Sequence, residues 1–184
     1  PGTANLTKNI LSEKLYVGSY VSLAMYMFLP AIFFLFYKNN TIEKKDISFI
    51  GRGYFEIISQ PRFLQAMVAS AFGYAIMTFL MTATPISMHV MESMSLDKTS
   101  FVIQMHVASM FLPSLITGNL IKKFGHSKIM YVGLLLYGVT IVLSLLDQTF
   151  FNYLIALIFL GLGWNFLFIS GTSLLVTTYK EHEK

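Results

Sequence analysis

GNLIKKFGHSK, residues Gly118–Lys128, places three lysines, a histidine and two glycines in a gap between two long apolar runs. The flanking runs decide what that gap is. Upstream, Thr99–Ile121 carries one histidine and no formal charge; downstream, Ile129–Leu146 carries none. Three more such runs lie outward from these: Leu15–Tyr37, Phe63–Met88 and Thr149–Tyr179. A helix crosses the hydrocarbon core with about 20 apolar residues at roughly 1.5 Å each. The pattern therefore predicts five spans, over about 15–37, 63–88, 99–121, 129–146 and 149–179. The last run exceeds what a bilayer needs and is expected to tilt or protrude.

Composition agrees with an all-α integral membrane protein. Of 184 residues, 55% are hydrophobic and only 12% charged, and the mean hydropathy is +0.63. These values are too apolar for an ordinary water-soluble domain. The net charge of +4 does not point to nucleic acid, because the basic residues are confined to the gaps between apolar runs. The absence of cysteine excludes disulfides, thiolate metal sites and a cysteine nucleophile. No H-E-x-x-H, P-loop, G-x-G-x-x-G or G-x-S-x-G pattern occurs, so no cofactor is expected, and an ATP-driven pump and a standard hydrolase are unsupported.

The gaps also give direction, since lysine and arginine gather on the cytoplasmic side. Residues 38–62 hold Lys38, Lys44, Lys45, Arg52 and Arg62; the gap 89–98 holds only Lys98. Lys122, Lys123 and Lys128 follow, then none near Asp147, then Lys180 and Lys184 in the tail. This alternation predicts that 38–62, 122–128 and the C-terminus are cytoplasmic, with Lys8 and Lys14 as a mild exception at the outer end. Ile47, Phe49, Ile50, Phe55, Ile57 and Ile58 suggest a short interfacial helix within the one sizeable polar stretch. The chain starts at Pro1 with no initiator methionine or signal-peptide pattern, so it is expected to be a piece of a longer protein.

Gly118, Lys123, Gly125 and Lys128 fall on a glycine-bracketed basic pattern that resembles the signature loop of the major facilitator superfamily. FGYAIMTFLMTATPISM (72–88) and GLGWNFLFISGTSLL (161–175) resemble seventh and tenth helices of bacterial members. The resemblance covers essentially the whole chain and implies helices six to ten of a twelve-helix fold. Residues 1–37 would then hold an outer segment and the last helix of the N-terminal half. Residues 38–62 would form the cytoplasmic linker, and 63–184 the first four helices of the C-terminal half. It implies a gating-loop motif of Gly118, Lys122, Lys123, Gly125 and Lys128. Lys122 stands where the family carries an aspartate, so the contacts made by that acid are absent from this copy.

Polar groups inside spans must be paired or face a cavity, which makes them the functional candidates. Asn165 and its neighbour Trp164, near the middle of the last run, lead; the competing reading is that Gly161, Gly163 and Gly171 permit close packing and Asn165 bonds to another helix. Tyr74 and Thr78 share a helix face with Met81 and Pro85, as substrate contacts or as packing. Pro85 frees the Met81 carbonyl and permits a kink. His106 offers either a proton-coupling or substrate-contacting group or an interhelical hydrogen bond, and Gln104 either a cavity wall or the same. His89 and Glu92 have metal-ligand spacing without a third ligand, and are expected in water at the outer surface.

The expectation is a segment of a secondary active transporter in the cytoplasmic (inner) membrane. Such a protein moves a small-molecule substrate by alternating access and is coupled to an ion, H+ foremost. The scarcity of charge within the spans slightly favours efflux. Its partners would be the lipid bilayer, the substrate and the missing helices of the same transporter. The alternatives are a non-transporting membrane scaffold or assembly protein and an intramembrane enzyme, for which no catalytic spacing is present.

Overall fold

The computed structural model describes Thr7, residues 17–37, residues 51–180 and Glu183, all in helices and short connections. Two units form, Pro1–Ser48 and Phe49–Lys184. In the first, α1 (Val17–Leu35) is apolar along its length with Pro30 inside it. Ser22 joins the Thr7 hydroxyl at 3.1 Å.

The second unit contains α2 (Tyr54–Ile58), α3 (Pro61–Ile86), a π-helical turn (Ser87–Met91), α4 (Leu96–Phe111), α5 (Ser114–Phe124), α6 (His126–Ser144) and α7 (Phe150–Val176). Of the expected interfacial helix, Phe55, Ile57 and Ile58 lie in α2, whereas Ile47, Phe49 and Ile50 lie outside the described residues. Local chemistry sets several ends. Pro61 opens α3, where its missing N–H costs nothing. Ser95 caps α4 by accepting from the Lys98 amide, and Thr149 caps α7 by accepting from Asn152. Gly125, at φ +84°, turns the chain between α5 and α6 in a conformation that side chains resist. Past Pro85 the α-helix gives way to the π-helical turn, the local adjustment that absorbs a proline in a span.

Among the described residues, four helices are long and apolar enough to cross a membrane: α1, α3 with its π turn, α6 and α7. A fifth span arises if α4 and α5, bent by 40° at the break, cross as one. The run expected to span over 99–121 is thus a broken helix. Pro113 is the cause, because it donates no amide hydrogen bond and its ring crowds the preceding turn.

α7 is the centre of the second unit and packs against α3, α4 and α6. Its glycines make that possible. A Cβ on Gly161 would meet the Ser109 side chain and lie 2.7 Å from the His106 carbonyl; one on Gly163 would lie 2.6 Å from the Tyr137 ring. Two helices therefore approach α7 closely on opposite flanks, the small-residue packing that membrane helices use in place of a hydrophobic drive. Gly118 differs: among the described residues nothing lies within 4 Å of where its Cβ would be.

Candidate functional site

The break in the third span is bridged by a single side chain of α7. Asn165, fully buried on α7, donates both amide hydrogens, to the Met110 carbonyl and to Ser114 Oγ, each at 2.7 Å. Its oxygen accepts from the Thr117 hydroxyl at 2.6 Å. One bond lands before the break and two after it. Thr117 also reaches the Pro113 carbonyl at 2.8 Å, so its one proton is shared between two acceptors. The amide is fully engaged within the protein, and Asn165 serves as a clamp between helices.

Trp164, the preceding residue, meets a different environment. Its indole stacks on Phe168 with centroids 4.8 Å apart and planes 11° from parallel. Phe111 meets Trp164 edge-on at 6.2 Å, and Tyr74 lies 6.0 Å from Phe168. A continuous row of four rings thus runs from the end of α4 across α7 to α3. Trp164 lies at the centre of α7, Tyr74 at the centre of α3, and Phe111 beside the break in the middle of its span. The row therefore sits at half height in each helix. Phe111 and Tyr74 remain 59% and 52% exposed, at opposite ends of the row. Among the described residues, neither the buried Trp164 N–H nor the Tyr74 hydroxyl has a hydrogen-bond partner.

Depth gives that row its meaning. Tryptophan and tyrosine facing lipid gather at the two interfaces, where their polar ends reach water or headgroups. At mid-span the same groups face hydrocarbon at a cost unless another surface supplies acceptors. Thr78, one turn along α3 from Tyr74, is exposed as well. The Tyr74 hydroxyl and Thr78 thus form an exposed polar face at mid-span.

The other candidates lie elsewhere. His106 is fully buried and its Nδ1 pairs with the Leu157 carbonyl at 2.8 Å, while Nε2 has no partner among the described residues. Gln104 bonds along its own helix to Ser100 at 3.2 Å. His89 turns to the Met94 carbonyl at 2.8 Å, and no group of three metal-binding side chains occurs among the described residues. In the loop motif Lys122 and Lys123 occupy the last turn of α5, where cations complement the helix dipole and an aspartate would oppose it. Phe111, Ser114 and Thr117 were not among the sequence candidates. The hydroxyls flanking Pro113 were the available signal, since a broken helix in a membrane needs nearby donors.

The same end of the bundle carries an ionic tie. Arg52 grips Glu183 through Nε and Nη2, each at 2.7 Å, and Nη2 also reaches the Thr178 carbonyl. The Lys180 amide adds a bond at 2.7 Å. Hydrogen bonding from Arg52 first, and from these amides next, holds the Glu183 carboxyl well below the usual range.

Along 180 residues, 97% of its length, the chain is 37% identical to the riboflavin transporter of Brucella anthropi. Two uncharacterized MFS-type transporters of Bacillus subtilis are 38% and 39% identical over 104 residues, 55% of the chain. The chain belongs to the major facilitator superfamily. These relatives are transporters and not enzymes. The superfamily match and the membrane-length helices make this a multi-pass membrane protein. The chain spans 45% of the Brucella protein's length, and the matched part spans 23% and 24% of the two Bacillus proteins. No family model matches, and no solved structure matches significantly.

Proposed function

We propose that this chain is part of a secondary transporter that carries a small, flat organic solute through the membrane by alternating access. The observation that carries the reading is the mid-height row Phe111–Trp164–Phe168–Tyr74, whose Phe111 and Tyr74 ends are exposed and whose Tyr74 hydroxyl has no partner among the described residues. A face of rings at that depth suits a conjugated solute, which stacks on the rings while its rim accepts hydrogen bonds. Secondary transporters place their sites near the midplane, between parts that rock against each other. The Brucella relative makes riboflavin the first solute to test. Tyr74, Thr78 and Trp164 are the proposed contacts, while Asn165 supports the broken helix beside them.

The finer features belong to the same proposal. The C-terminal unit would be the first four helices of a C-terminal half, and α1 the last helix of the N-terminal half, in the inner membrane with the basic loops inside. Coupling would be to protons, through His106, whose imidazole can carry a proton and whose Nε2 is unpartnered among the described residues. The scarcity of charge in the spans favours export.

The test is riboflavin flux in proteoliposomes of the complete protein, with and without a pH gradient. The proposal expects carrier-dependent flux that the gradient drives and that Trp164→Ala lowers about tenfold. Flux indifferent to Trp164→Ala would remove the ring row from transport. Flux indifferent to the gradient would remove the proton.

A further inference from the structure

The basic loop lines a cavity apart from the ring row. Where α3 begins and α6 begins, a cavity of about 340 Å³ is lined by Arg62, Gln65, His126, Ser127 and Lys128, with Gly125 and Phe124 at its edge. Neither Arg62 nor Lys128 has a carboxylate partner among the described residues. α6 starts in this cavity at His126 without a side-chain cap, so its first amides add positive potential to that of the cations. Gln65 Nε2 donates to Ser127 Oγ at 2.9 Å and ties the two walls together.

The cavity also continues into the span. Gln65 and Ser127 line a second, apolar groove of about 230 Å³, which runs between α3 and α6 past Ala69, Phe72, Met130 and Leu134. A cationic chamber at the end of a membrane helix, opening onto an apolar groove along it, has the charge and shape of a phospholipid. Basic pockets between membrane helices recognise anionic headgroups in this way.

We propose that this chamber binds the phosphate of an anionic phospholipid, with Arg62, Lys128 and the α6 amides on the phosphate and an acyl chain in the groove between α3 and α6. The site gives GNLIKKFGHSK a use that follows from its lack of an acid: with lysine at position 122, no carboxylate within the loop competes for Lys128. Lys122 and Lys123 do not line the chamber and serve as internal controls.

The experiment uses the complete protein in nanodiscs of phosphatidylcholine doped with spin-labelled phosphatidylglycerol, and reads the immobilised lipid fraction. Each cation at a membrane surface contributes about fivefold in affinity. Arg62→Gln with Lys128→Gln should therefore lower the relative affinity for phosphatidylglycerol about twenty-five-fold, while Lys122→Gln with Lys123→Gln changes it less than about fivefold. Inorganic phosphate at millimolar levels should fail to displace the lipid, because it has no acyl chain. Equal losses in the two double variants would mean diffuse surface charge and would overturn the site. Displacement by inorganic phosphate would assign the chamber to a free anion and overturn the lipid. Undiminished affinity in the Arg62/Lys128 variant, as when another helix of the protein fills the groove, would also overturn it.

Discussion

Trp164 and Asn165 are adjacent on α7, about 100° apart around it, and both meet the end of α4, yet their polar groups find different surroundings. At the break, the amide of Asn165 meets three partners and leaves none of its own hydrogens unpaired. On the side of the ring row, Trp164 stacks on one ring, touches another, and keeps an N–H without a partner. The first arrangement is complete within this chain; the second leaves the Phe111 and Tyr74 rings exposed. That difference is what the proposed function reads as support at the break and site at the row.

The largest expected effect falls on the complete side. Asn165→Leu keeps the volume but leaves the Met110 carbonyl, Ser114 and Thr117 without their shared partner. Interhelical hydrogen bonds in membranes are worth about 0.6 kcal/mol each, so three predict a loss of about 2 kcal/mol in reversible unfolding from mixed micelles. A loss under about 0.5 kcal/mol would show that the break holds itself.

On the incomplete side the signature should be reversed, with function lost and stability kept. Phe168→Ala removes the stacking partner of Trp164 and should cost about tenfold in flux while the melting midpoint moves far less than for Asn165→Leu. Tyr74→Phe is a smaller cut. It keeps the ring and deletes the hydroxyl, for which about a threefold rise in KM is expected, in line with a neutral hydrogen bond of roughly 0.6 kcal/mol. An unchanged KM would take the Tyr74 hydroxyl out of the solute contact.

The smallest effect concerns the ionic tie. Glu183 has its pKa lowered by Arg52, so the tie stabilises fully above the ordinary glutamate range near 4.5 and is lost as pH falls through the depressed value. Glu183→Gln should therefore lower the thermal midpoint slightly at pH 7, with the gap closing only in strong acid. A gap that closes between pH 8 and 6 would implicate another group.

The all-α membrane fold is legible in the sequence, because apolar runs of about twenty residues report on bilayer thickness, which acts over whole segments. Pairings across helices are less so. That Asn165 needed partners could be read from its depth; that Met110, Ser114 and Thr117 are those partners depends on how α4 and α5 bend about Pro113. Trp164 and Tyr74 were visible as polar-ended rings in mid-span, but Phe111 reaches the row only because its helix ends there. His106 gave no sign of whether it faced a cavity or a seam, since a lone histidine in an apolar run fits both.

The central claim is that the ring row faces solute, and cysteine protection tests it most directly. The chain contains no cysteine, so Tyr74→Cys, in the complete protein with any cysteines elsewhere replaced, places one thiol on the row. A water-soluble methanethiosulfonate reagent should label it, and saturating riboflavin should slow labelling about tenfold or more, the factor expected when a bound ring covers the site. Labelling at the same rate with and without riboflavin, or no labelling at all, would contradict the account.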